Sequence, residues 1–197
     1  MSKAVLDFLQ ARFGDAILET HSQCGDDTVV LRPDRWKAAC QALREDPSMA
    51  FDMLVDLCGV DYPERNPRFE VVLHLYSIKK GHRVRLKSRV GDEEGENAEI
   101  DSVCGVWIGA DWFERETWDM LGIKFRGHPD LRRILMYPEF EGHPLRKDYP
   151  AQLTQPLIPY RTEEEAGLPL GKLAPFRDDE GMAFGRKQYS KNDVEPS

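Results

Sequence analysis

Apolar residues recur along this chain with two periods, and the changes of period mark its elements. From 4 to 13 (AVLDFLQARF), Val5, Phe8, Leu9 and Phe13 fall near helical spacing, and Gly14 stops the run. TVVLRP at 28–33 reads as a short strand ended by proline. Asp34 is placed to cap a second helix through about Arg44, with Trp36, Ala39, Cys40 and Leu43 on one side. FDMLVDLCGVDY at 51–62 reads as a strand, or a short helix running into one, and PERNP after it as a turn.

Two strong strands follow. In FEVVLHLYSI, Phe69, Val71, Leu73 and Leu75 share a face. In HRVRLKSRV, Val84, Leu86 and Val90 point one way and Arg83, Arg85, Lys87 and Arg89 the other, with a hairpin turn at KKGH. The basic stripe is expected to be a solvated strand face, with an acidic partner as the alternative. GDEEGENAE at 91–99 reads as an acidic, flexible loop, and IDSVCGVWIG after it suggests a short helix. Asp111 and Glu114 then form a capping-box-like start, and Gly122 a natural helix stop. Between them Phe113, Thr117, Met120 and Leu121 share a face, while Arg115 and Asp119 are spaced to bridge at i,i+4. Beyond Pro150 no period is sustained, yet large apolar residues such as Leu157, Tyr160, Leu173 and Phe176 persist. That combination predicts an extended arm over 151–197 lying on another protein, after one folded domain over 1–150.

Composition narrows the function. With 41% hydrophobic and 31% charged residues, the chain can bury a core. A net charge of −8 makes nucleic acid a poor partner. No apolar run approaches the roughly 18 residues that span a bilayer, and the start reads as neither signal nor transit peptide, so a reducing cytoplasm is expected. Cys24, Cys40, Cys58 and Cys104 form no C-x-x-C pair, which predicts free thiols rather than an iron–sulfur or zinc site.

Residues 111–149 hold the candidate chemistry. Glu116 and Asp119 sit at i,i+3, but a di-metal bundle needs Glu-x-x-His on facing helices, so no metal is expected. His128 and His143 precede prolines and come with no recognisable nucleophile. G-x-S-x-G and G-x-G-x-x-G are both missing, and GLPLGKL at 167–173 is a false P-loop, with Leu173 where Ser or Thr belongs. What remains is Trp107, Trp112 and Trp118 followed by Arg126, Arg132, Arg133, Tyr137, Arg146 and Lys147, residue types that dominate protein–protein interfaces. From the residues alone, the chain is an interaction module. The contrasting reading is a stand-alone enzyme using Glu116 or His128 as acid or base.

The same stretch carries a resemblance. Glu114-Arg115-Glu116, Asp119-Met120-Leu121, His128, Arg132 and Ile134-Leu135, in that spacing, resemble the signature of the 30 kDa subunit of respiratory complex I, the C-type subunit of bacterial NADH–quinone oxidoreductase. GHPLRKDYP, with His143, Arg146, Lys147 and Asp148, resembles the family's second hallmark. The resemblance covers about Val5 to Pro150. It implies an α+β domain with a mixed β-sheet flanked by helices. It implies a peripheral-arm subunit without catalytic residues or cofactor, FMN, Fe–S clusters and quinone belonging to partner subunits. The partner it implies is the 49 kDa-type subunit, which helps form the quinone site, within a complex that couples electron transfer to proton pumping. The complex would lie at the cytoplasmic side of a bacterial inner membrane, membrane contact being indirect. The signature residues would then fix the fold or the docking face. Related subunits in plastoquinone oxidoreductases, membrane-bound hydrogenases and deazaflavin-oxidising complexes share the module with a different electron donor.

Overall fold

A computed structural model describes residues 3–155. In chain order the elements are α1 (Lys3–Phe13), β1 (Ile17–Gln23), β2 (Asp26–Leu31), α2 (Trp36–Glu45), β3 (Met53–Asp61), β4 (Phe69–Ser77), β5 (His82–Val90), β6 (Glu99–Asp101), α3 (Ala110–Leu121) and β7 (Lys124–Arg126). The five long strands form one mixed sheet in the order β1-β2-β5-β4-β3. A hairpin (β1-β2) and a meander (β3-β4-β5) are joined where β2 runs parallel to β5. β6 and β7 form a small parallel pair beside it.

The period-two pattern of β4 and β5 decides which face is buried. Phe69, Val71, Leu73, Leu75, Val84 and Leu86 join Val5 and Leu9 of α1, Trp36, Ala39 and Leu43 of α2, and Met120 and Leu121 of α3 in one core. The helices therefore collect on one side of the sheet. On the other side the basic stripe meets acids of neighbouring strands: Arg83 and Arg85 pair with Asp26, Lys87 with Glu70 at 2.7 Å, and Arg89 with Glu19 at 2.9 Å. The stripe is only partly solvated, and its acidic partners come from its own sheet. Val30 and Val72, which alternate with core residues of β2 and β4, are buried as well.

Three local expectations are corrected, and one strand is added. Asp34 does not cap α2: it lies in a 3-10 turn and takes the Arg32 fork at 2.6 and 3.0 Å. IDSVCGVWIG is not helical; its start is strand β6, followed by turns. Asp111 and Glu114 make no capping box, because α3 starts at Ala110 with no side-chain cap. Strand β1 (ILETHSQ) is an element the pattern did not reveal; it is an edge strand with most side chains exposed, so no alternation marks it. The arm expected over 151–197 lies, from 156 onward, outside the described residues, as does the P-loop mimic.

Candidate functional site

Helix α3 lies against the edge strand β3 because of one missing side chain. A Cβ at Gly59 would stand 2.5 Å from the Leu121 side chain and 3.0 Å from those of Ile123 and Thr117. The helix ends as its sequence requires: Gly122 takes φ +80° and donates to the Trp118 carbonyl at 2.8 Å. A Cβ there would stand 2.7 Å from the His143 ring and the Arg146 guanidinium, so glycine also admits the second hallmark.

That hallmark closes the helix. The carbonyls of a last helical turn lack intrahelical donors. Here Asp119 O accepts from His143 Nδ1 at 2.9 Å, Met120 O from Leu145 N–H at 3.0 Å, and Leu121 O from Arg146 Nε at 2.7 Å. Donating from Nδ1 suits a neutral ring, and burial holds His143 below the usual histidine range. Arg146 also reaches Gly95 O at 3.1 Å across Phe69.

Asp119 is the centre of the signature. A carboxylate in a helix's last turn meets the negative end of the dipole, and this one is fully buried. It does not bridge to Arg115. Its Oδ1 accepts from Arg133 Nη1 at 2.6 Å, and its Oδ2 from the N–H groups of Ile134, Leu135 and Met136 at 3.0, 2.8 and 2.8 Å. Burial works against its charge, but these donors win and hold Asp119 below the usual carboxylate range. Arg115 stacks over Trp112 and donates to the carbonyls of Arg132 and Arg133 at 3.1 and 3.2 Å. Arg132 itself is exposed and, among the described residues, pairs only with Asp130, at 2.8 Å; the inward-facing arginine is its neighbour Arg133.

Glu114 holds the start of the helix to the chain before it. Its fully buried carboxylate accepts Val103 N–H at 2.7 Å and the Cys104 S–H at 3.2 Å. Burial pushes its pKa up, and pushes the Cys104 thiol up to about 12. Cys104, Glu114 and His128 bring possible metal-ligand atoms within 4.8 Å of one another. Each is already engaged, however. His128 Nδ1 accepts Asp130 N–H at 3.0 Å, so Nε2 carries the proton, facing Asp111 O at 3.3 Å. An ion would have to displace the Cys104 contact and reverse that tautomer, so the trio fits a hydrogen-bonded lock better than a metal centre.

A second buried charge network lacks any sequence signal. Arg68, 4% exposed, places its fork on Asp61 at 2.7 and 2.8 Å and reaches Asp148 of the second hallmark at 2.9 Å. Asp61 also accepts Lys147 N–H at 2.8 Å. Of the ten signature and hallmark residues named from sequence, Glu114, Arg115, Asp119, His128, His143, Arg146 and Asp148 thus serve intramolecular bonds. Among the described residues, Arg132 makes only its local pair with Asp130. Glu116 and the Lys147 side chain have no hydrogen bond or ion pair to another described residue. Large apolar side chains are exposed too: Ile108 (90%) just before α3, Trp112 (64%) on it and Leu145 (58%) in the second hallmark.

Residues 29–155 match the family described as respiratory-chain NADH dehydrogenase, 30 Kd subunit. One of the NADH-quinone oxidoreductase C-type subunits of Rhizobium etli (strain CIAT 652), the one numbered 2, is 50% identical over 142 residues, 72% of this chain and 74% of that protein. The NADH-quinone oxidoreductase C-type subunit of Roseiflexus sp. (strain RS-1) is 51% identical over 146 residues, 74% of this chain and 82% of that one. Among solved structures, a chain of the membrane-bound sulfane sulfur reductase, an archaeal respiratory membrane complex, superposes with a TM-score of 0.64 at 21% identity, covering 77% of this chain and 86% of that one, and so shares the fold. The matched span holds β3, β4 and β5 with the end of β2, α3 and both closing segments, and on these grounds the chain belongs to the family of the 30 kDa subunit of respiratory-chain NADH dehydrogenase.

Proposed function

We propose that this chain is a peripheral-arm subunit of a proton-translocating NADH:quinone oxidoreductase, carrying no cofactor of its own and bracing the 49 kDa-type subunit. FMN, Fe–S clusters and quinone reside on its partners in this reading, and the complex sits on the cytoplasmic face of a bacterial inner membrane. No helix among the described residues is long and apolar enough to cross a membrane; in this reading attachment runs through other subunits. One observation carries the reading: most signature charges turn inward to fix α3 and residues 128–149, while Ile108, Trp112 and Leu145 stay outside. Charged groups spent on mutual bonds build a rigid shape, and exposed aromatic and aliphatic residues on that shape are what an interface core uses. Naming of relatives about 50% identical as NADH-quinone oxidoreductase subunits supports NADH as donor over the hydrogenase or deazaflavin complexes.

Replacing Trp112 by alanine tests this. The indole is mostly exposed, so unfolding of the isolated chain should change by no more than about 0.5 kcal/mol. Capture of the other subunits by a tagged chain should fall at least about tenfold, as for an interface hot spot. Wild-type capture by the variant would remove this surface from the interface.

A further inference from the structure

The basic stripe on the helix-free face of the sheet is unevenly neutralised. Toward one end Lys87 and Arg89 each have an acid of their own, Glu70 at 2.7 Å and Glu19 at 2.9 Å. At the other end a single acid, Asp26, faces two arginines. It takes Arg83 Nε, and its second oxygen stands 3.8 Å from Arg85 Nη2, beyond hydrogen-bond distance. Among the described residues the Arg85 guanidinium makes one other bond, a long one of 3.4 Å to Thr28 Oγ1. Both arginines line a pocket of about 310 Å³. Its walls are two cross-strand rows, His74 with Arg85 and Tyr76 with Arg83, and it runs from Asp26 on β2 to Val55 on β3. Leu75 and Val84 turn their side chains into the core, and Asp27 alternates with the core residues Val29 and Leu31, so these three form the floor. Neither the His74 ring nor the Tyr76 hydroxyl has a hydrogen-bond partner among the described residues. Asp56, opposite His74, is engaged by the Cys58 thiol. The rim beyond Tyr76 is apolar: Met53, directly across from it, and Val55 and Ile78 are all exposed.

We propose that this pocket seats an acidic side chain of a neighbouring subunit, with the apolar rim packing beside it. The proposal rests on the reading of this chain as a docked subunit, and it adds a docking surface on the face of the sheet opposite the helices. One acid shared by two guanidiniums leaves N–H donors unused and one positive charge in excess, on a chain whose net charge is −8. A carboxylate supplies both the missing charge and the acceptors, and it fits a guanidinium fork bidentately. Tyr76 and His74 can each donate a further bond to it. Arginine and tyrosine beside exposed apolar groups is the composition of an interface hot spot. A free phosphate is a poorer match, because phosphate cradles use unspent backbone N–H groups, and those of the floor strands β4 and β5 are committed to the sheet.

The test uses the full chain in its native complex. A tagged copy carrying both Arg83→Gln and Arg85→Gln is captured from gently solubilised membranes, and the co-purifying subunits are quantified as salt is raised. At a salt concentration that leaves the wild-type complex whole, this double variant should keep only about one-tenth of its partners. Ile78→Glu and Ile78→Lys read the sign of the occupant's charge at a side chain that is mostly exposed. Ile78→Glu should lose at least about fivefold more of the partners than Ile78→Lys, because it sets like charges against each other. Wild-type capture by the double arginine variant overturns the proposal, and so do equal losses from the two Ile78 variants. The isolated double variant should unfold no more than about 4 °C below the wild type, the effect of losing an exposed ion pair. A larger fall would mean that this chain's own residues fill the pocket, and it too overturns the proposal. Trp112→Ala separates the two levels: if it disrupts capture while the Arg83, Arg85 and Ile78 variants do not, only the pocket proposal fails, and if none disrupts capture, the docking reading fails with it.

Discussion

Asparagine at position 119 is expected to lower the stability of the isolated chain by about 3 kcal/mol, near the lower end of the cost of breaking a buried ion pair. Asparagine keeps the shape of the side chain but only one acceptor oxygen. Its amide hydrogens must face either Arg133 or the Ile134–Met136 N–H groups, all of them donors. For a domain this size the loss corresponds to roughly 10 °C in the unfolding midpoint. The loop should loosen with it, so trypsin should cut at Arg132 and Arg133 faster than in the wild type. The pH dependence has a definite sign. The folded-state pKa of Asp119 is depressed, so its contribution is complete above the unfolded value of about 3.9 and is lost as pH falls through the folded value. Wild-type stability should therefore fall more steeply below about pH 4 than that of Asp119→Asn. Equal midpoints and equal acid slopes would show that Asp119 does not hold the loop.

Arg68→Met should cost about 3–5 kcal/mol, because it strands the buried Asp61 carboxylate with only Lys147 N–H as donor. Burial opposes that charge, and in the wild type the Arg68 fork and the Lys147 N–H together keep Asp61 below the usual carboxylate range. Adding Asp61→Asn to Arg68→Met should recover part of the loss, since neutral asparagine still accepts from Lys147 N–H. Thermal unfolding of the four members of this cycle measures the coupling. Purely additive losses would mean that the two side chains act independently, contrary to the bidentate geometry.

What the sequence revealed and what it hid follow from the range of each interaction. Alternation in β4 and β5 marks a face because Phe69, Leu73, Val84 and Leu86 meet one core, and Gly122 reads as a stop because a left-handed residue is a local requirement. The errors come where a long-range partner outcompetes a local one. Glu114 sits in a capping-box position but bonds Val103, eleven residues earlier. Arg115 and Asp119 have bridge spacing, yet Asp119 is taken by Arg133 and three N–H groups brought by a returning loop. Strand β6 reads as helix because its partner β7 is more than twenty residues away and short. Arg68 has no signal at all: it is an ordinary residue after a turn until the chain returns eighty positions later with Asp148. The signature showed where the charges concentrate, and only the fold separates those spent internally from Glu116, which makes no hydrogen bond or ion pair to another described residue.

Affinity isolation of the tagged chain from gently solubilised membranes, with every co-purifying protein identified by mass, tests the docked-subunit reading most directly. A 49 kDa-type subunit recovered together with flavin and Fe–S subunits is the expected result. Recovery of the chain alone, as a monodisperse monomer from the soluble fraction, would contradict it and return attention to Glu116 and His128 as reacting groups.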